Sequence, residues 1–170
     1  MPAAQAPPER DPFRLDRFRS AIHRVETPNY SQRSQELRDD LFHRQAQSIY
    51  LTIKYGLIDA DAELHRISGM ETGWDSYGAE PPSAEAIRAS QEILQDLAGD
   101  LILPSMIVPS ADGGVSIYFM AGDRTVYVES YNHGSQALVM YDQHGNTEVL
   151  EVGRDIPRSD VGGRILAYLG

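Results

Sequence analysis

Apolar positions recur with two different periods along this chain, and the change from one to the other divides it. Leu15, Phe18, Ile22 and Val25 advance by three, four and three, the stripe of one helix face. Asp11-Pro12 supplies its start, a carboxylate at the N-cap followed by proline at the first helical position. From about Ser34 a longer helical stripe begins. Phe42, Ala46, Ile49, Tyr50, Ile53 and Leu57 carry it, extended backwards by Leu37 and Leu41. Gly56 is placed to end or kink this helix. Asp59 or Asp61 then caps a short one bearing Leu64 and Ile67, with His65 and Arg66 at its end and Gly69 beyond, the charge order that suits a helix dipole. Ser83 is an N-cap for a further helix, with Glu85 in its first turn and Ala86, Ile87, Ile93, Leu94 and Leu97 on its apolar face.

Past Gly99-Asp100 the period drops to two. Met106–Val108 predicts a short strand turned by Pro109 through Asp112-Gly113-Gly114. Val115, Ile117 and Phe119 alternate with Ser116, Tyr118 and Met120, and Val126 and Val128 with Tyr127, Glu129 and Tyr131. Turns at 121–123, 132–135 and 143–146 separate these from strands over 137–141 and 147–152. In the closing segment Val161, Ile165 and Leu169 are helically spaced, although Gly162-Gly163 weakens a helix there. The pattern predicts an α+β fold. Two or three helices pack on one face of a four- to five-stranded antiparallel meander, with an extra N-terminal amphipathic helix. Residues 1–33 read as tail, basic helix and linker, and 34–170 as one α+β domain.

Composition narrows the function classes. Of 170 residues 41% are hydrophobic and 24% charged, as in an ordinary globular protein, and there is no cysteine to form a disulfide, a thiolate metal site or a nucleophile. No apolar run reaches membrane-span length, and the first ten residues lack the hydrophobic core of a secretory signal, so the cytoplasm is the expected compartment. The net charge of −10 is uneven. Residues 1–50 hold eight arginines against seven acids, and residues 51–170 hold seven bases against eighteen acids. That acidic body opposes nucleic acid and anionic membrane and favours a basic partner.

The joint between the two periods is Gly73–Pro82, which holds the only tryptophan. One reading makes Trp74 and Tyr77 a stiff contact surface, with Asp75 reading a donor or a cation. The favoured reading is structural: Trp74 plugs the gap between helices and sheet, Asp75 satisfies backbone amides, and Gly73 and Gly78 supply unusual backbone angles, with Pro81 and Ser83 leading into the next helix. GWDSYGAEPPS, followed by a helix and by DGGVSIYF, resembles a pattern in small uncharacterised bacterial proteins. In these a GWDxYGA–Pro segment precedes a helix and a DGG-type turn opens a small sheet. The resemblance covers about Gly73 to Val152. It implies a bacterial origin and a shared fold for this half, and no activity.

Catalytic and cofactor signatures are missing. The five histidines lack HExxH or His-x-His spacing, no glycine-rich phosphate loop carries its lysine, and no G-x-S-x-G occurs. No cofactor or metal is expected. If the valines and Phe119 face the helices, Tyr118, Tyr127 and Tyr131 project from the other face, joined by Tyr141 if the register allows. Tyrosines on an open sheet suit protein binding or dimerisation. Single-stranded RNA would want bases beside them, and the sheet region offers only Arg124. The expected function is therefore a non-catalytic protein-binding module or accessory subunit of a bacterial complex, an antitoxin- or immunity-like neutraliser included. Its contacts would be Arg14, Arg17, Phe18, Ile22, Asp75, Tyr77, Tyr118, Tyr127 and Tyr131. Two alternatives stand beside it: a small hydrolase or transferase using Asp75 with Glu80 or Glu129, and a module that self-assembles through the N-terminal helix.

Overall fold

The computed structural model describes residues 32–142 and 144–170. The N-terminal helix expected over residues 11–25, with Arg14, Arg17, Phe18 and Ile22, lies outside the described residues. The first helix, α1 (Gln32–Ser68), is 37 residues long and runs through Gly56 without ending there. The glycine has a packing reason instead. A Cβ at Gly56 would stand 2.8 Å from a methyl of Leu103, so the missing side chain lets Leu103 press against the helix backbone. An interior glycine costs about 1 kcal/mol of helix propensity, which a long cooperative helix with a buried face offsets.

The boundary between two compact units of the chain falls inside α1, after Leu51. In the first unit Leu37, Leu41 and Ile49 are exposed, while Phe42, Ala46 and Tyr50 are half-buried. In the second, Ile53, Ala60, Leu64 and Ile67 are buried. The residues expected on a separate short helix are thus the core-facing turns of α1 itself.

Helix α2 (Ala84–Gly99) starts as its sequence requires: the Ser83 hydroxyl accepts the Ala86 N–H at 3.1 Å. Five strands follow, β1 (Met106–Ser110), β2 (Gly114–Ala121), β3 (Arg124–Tyr131), β4 (Gln136–Asp142) and β5 (Thr147–Glu151), in one antiparallel sheet in chain order. Pro109 lies within β1 rather than in the turn after it. β1 is an edge strand, where a missing N–H is tolerated. The turn is the three residues 111–113, with the Gly113 N–H donated to Ser110 O and Gly113 at φ +83°.

Register fixes the two faces. Ile107, Ile117, Val128, Leu138 and Leu150 stand side by side across all five strands, flanked by Val115, Phe119, Val126 and Met140. This set forms the core with Ala60, Leu64 and Ile67 of α1, Ile93, Leu94 and Leu97 of α2, and Val161 and Ile165 of α3 (Val161–Leu169). The α+β meander with helices on one face is therefore as its sequence pattern predicts. α3 forms despite Gly162-Gly163, because Gly162 is a close-approach point: a Cβ there would sit 2.5 Å from an Asp100 carboxylate oxygen. A 3₁₀ turn (Arg158–Asp160) precedes α3, and Arg158 ties it to α2 through Asp96 and Glu92, both at 2.7 Å.

Candidate functional site

The Gly73–Ser83 segment is organised by its own backbone. One carboxylate oxygen of Asp75 accepts the N–H of Tyr77 at 2.9 Å and of Ala79 at 3.0 Å, while Gly73 N–H reaches Ala79 O. Gly73 (φ +82°), Ser76 (φ +67°) and Gly78 (φ +92°) take the left-handed backbone that this tight fold-back demands. The amide of Ala79 and then that of Tyr77 hold the Asp75 carboxyl below the ordinary aspartate range. Trp74 is half-buried and stands outside the core cluster, so it does not plug the helix–sheet gap as its rarity suggested. Its indole N–H bonds to Glu80 O at 3.4 Å and closes its own loop. Tyr77 is 94% exposed and Glu80 is exposed.

The loop is then latched to the sheet by a residue that sequence reading left as an ordinary turn position. Asn132, after β3, accepts the Ser83 N–H at 2.6 Å and donates to Pro81 O at 3.0 Å; its own carbonyl accepts the Ser83 hydroxyl at 3.0 Å. The Asn132 amide lies over Gly113, where a Cβ would come within 2.7 Å of its nitrogen. Three sequence features far apart in the chain thereby meet: the Pro81–Ser83 helix entry, the glycine turn after β1 and the end of β3.

The second face of the sheet carries the tyrosines. Met106, Tyr118, Tyr127, Val139 and Val149 form one row across the five strands. Tyr118 and Tyr127 stack with centroids 5.0 Å apart, and Tyr141 meets Tyr127 edge-on at 6.3 Å. The register thus brings Tyr141 to the same face. Tyr131 stacks on His133 at 5.4 Å. None of this row joins the core cluster of the three helices; Met106 and Val149 at its ends are exposed, as are Met120 and Tyr141 beside it, while Tyr118 and Tyr127 are half-buried and Val139 is buried. In the next row Glu129 has Ser116 and Ala137 as cross-strand neighbours and Val108 beyond Ser116. One Glu129 oxygen accepts the Ser110 hydroxyl at 2.5 Å. Burial first, and the Glu129 charge next, push the phenols of Tyr127 and Tyr131 above the usual tyrosine value. At Tyr118 burial again leads, with Tyr141 and then Glu129 behind it.

Family models, curated proteins and solved structures offer no match to this chain. The site is therefore read from its chemistry alone. Asp75 spends its charge on loop amides, and Glu129 belongs to the sheet face with a serine as partner. A shallow cleft of about 180 Å³ between Met140, Asp142, Asn146, Thr147, Glu148 and Tyr168 holds two further carboxylates, Asp142 and Glu148. There the Asn146 side chain, followed by the amides of Asn146 and His144, keeps Asp142 below its ordinary value, as a turn-forming residue. No described helix is long and apolar enough to cross a membrane.

Sequence reasoning identified the tyrosines but missed their apolar companions. Met106, Val139 and Val149 join the row only through the cross-strand register, which depends on turn lengths rather than on the strands themselves.

Proposed function

We propose that this protein is a non-catalytic protein-binding module of a bacterial cytoplasmic complex, an accessory subunit or a neutraliser of a basic partner. The row Met106–Tyr118–Tyr127–Val139–Val149 carries the reading, because it spans a whole sheet face that the helices' core leaves to other contacts. The tyrosines supply large, stiff contact area at low entropic cost and are a residue type enriched in binding hot spots, while the aliphatic neighbours add apolar surround. The acidic residues 51–170 add long-range attraction for a basic surface and speed encounter with it. The resemblance of the Gly73–Val152 half to small bacterial proteins supports the proposed setting.

The test is affinity purification of the full chain from its native cell, compared with Val149→Lys. Val149 is 60% exposed, so lysine there leaves the fold intact while setting a cation against a basic partner. The expected result is a stoichiometric partner held by the native chain and lost by Val149→Lys at unchanged melting temperature. Recovery of the protein as a lone monomer at low salt refutes the proposal.

A further inference from the structure

We propose that Glu129 is the receptor for an arginine side chain of the partner protein, taken into a trough between Tyr127 and Tyr131. This deepens the reading of the tyrosine face as a protein-binding surface and rests on it. Along β3, Tyr127, Glu129 and Tyr131 project to the same side at two-residue spacing. Their outer two Cα atoms are about 14 Å apart in an extended strand. Across the sheet the neighbours of Glu129 are the small Ser116 and Ala137, both buried, whereas Tyr127 is flanked by Tyr118 and Val139. The row through Glu129 is therefore built of smaller side chains than the tyrosine row beside it. The Tyr118–Tyr127 stack stands on one side, and Tyr131, held by its stack with His133, on the other.

Among the described residues the Glu129 charge has no opposite charge paired with it. Glu129 is only 9% exposed, and its bonded partner is a neutral hydroxyl. Glu151, the other acid of this face, differs in having Arg154 beside it. No strand residue of the face is cationic. A carboxylate this enclosed is costly until a cation reaches it. Of the protein cations, a guanidinium fits best, since it forks a carboxylate, stacks flat on tyrosine and sheds water more readily than an ammonium. The apolar row alongside would hold the hydrophobic neighbours of that arginine, which makes a protein segment the occupant.

The probe is acetyl-Leu-Arg-Leu-amide, titrated into the isotopically labelled full chain and followed by amide chemical shifts. The controls are the neutral citrulline isostere, the lysine peptide and Glu129→Gln. Glutamine keeps the acceptor for Ser110, so equal melting temperatures verify that this variant is folded. Saturable shifts at Ser116, Glu129 and Tyr131 are expected with the arginine peptide. Affinity should fall at least about tenfold, or 1.4 kcal/mol, with citrulline or with Glu129→Gln, and less with lysine. Equal response to arginine and citrulline, indifference to Glu129→Gln, or no saturation by about 10 mM overturns the inference. If the native partner is nevertheless captured and then lost by Val149→Lys, the face is a binding surface without an arginine site. If capture survives Val149→Lys, the face reading falls too. A homodimer that Val149→Lys dissociates makes a second copy the occupant and also overturns the arginine proposal.

Discussion

Replacing Asn132 by alanine tests whether the Gly73–Ser83 loop is held by the latch or merely rests beside it. The change deletes the acceptor for Ser83 N–H and the donor to Pro81 O, both partly buried, and spares the backbone bond from the Ser83 hydroxyl to Asn132 O. At about 1 kcal/mol for each lost bond, the cost is about 2 kcal/mol. For a domain of this size that lowers the melting temperature by about 6–10 °C. Urea unfolding gives the same quantity as a shift in midpoint at constant slope. Ser83→Ala, which removes the helix cap, costs about 1 kcal/mol alone. Both residues share one network, so the double variant should lose less than the sum, by about 0.5 kcal/mol or more. A loss below about 0.5 kcal/mol for Asn132→Ala, or strict additivity with Ser83→Ala, would refute the latch.

Two further outcomes follow from the same geometry. Gly114→Ala places a Cβ 2.2 Å from Ser130 O at φ +139°, so it should cost about 3 kcal/mol or more, against about 1–2 kcal/mol for Gly73→Ala, where the backbone angle is also positive but space is open; comparable melting temperatures for the two variants would contradict this. Asp75 is held below the ordinary aspartate value of about 3.9, so its support of the loop is complete above that pH and is lost as pH falls through its lower folded value. The amide shifts of Tyr77 and Ala79 should therefore titrate with a midpoint below that of a free aspartate, and a midpoint at or above it would remove the capping role.

The strands and their inward residues were legible because Val115, Ile117, Phe119, Val126 and Val128 alternate cleanly with polar or aromatic residues, and a half-buried sheet imposes that period. The cap at Ser83 was legible for a similar local reason. Gly56 and Gly162 were misread as weak points, since propensity registers only the cost of a glycine. Both positions admit a neighbour, Leu103 in one case and the Asp100–Ile102 turn in the other, that sequence spacing does not reveal. Trp74 misled through its rarity: a large ring next to positive-φ residues was better used closing its own loop. The role of Asn132 was out of reach, because its partners lie 49 to 51 residues away and its side chain acts only once β3 is in place.

Pro109 also bears on backbone pairing at the sheet's border. Ser110 turns its carbonyl inward to Gly113, so the adjacent Pro109 turns its nitrogen outward, and a strand arriving at the β1 edge would find no N–H there to pair with. At the opposite edge the Asp155 carboxylate already occupies the Glu151 N–H at 2.8 Å, while the Glu151 carbonyl takes N–H groups from the following turn. One outward backbone position on each border is thereby withdrawn from pairing with an added strand. Met106 and Val149, exposed at the two ends of the tyrosine row, thus sit on border strands that are each interrupted once as a template for a further strand.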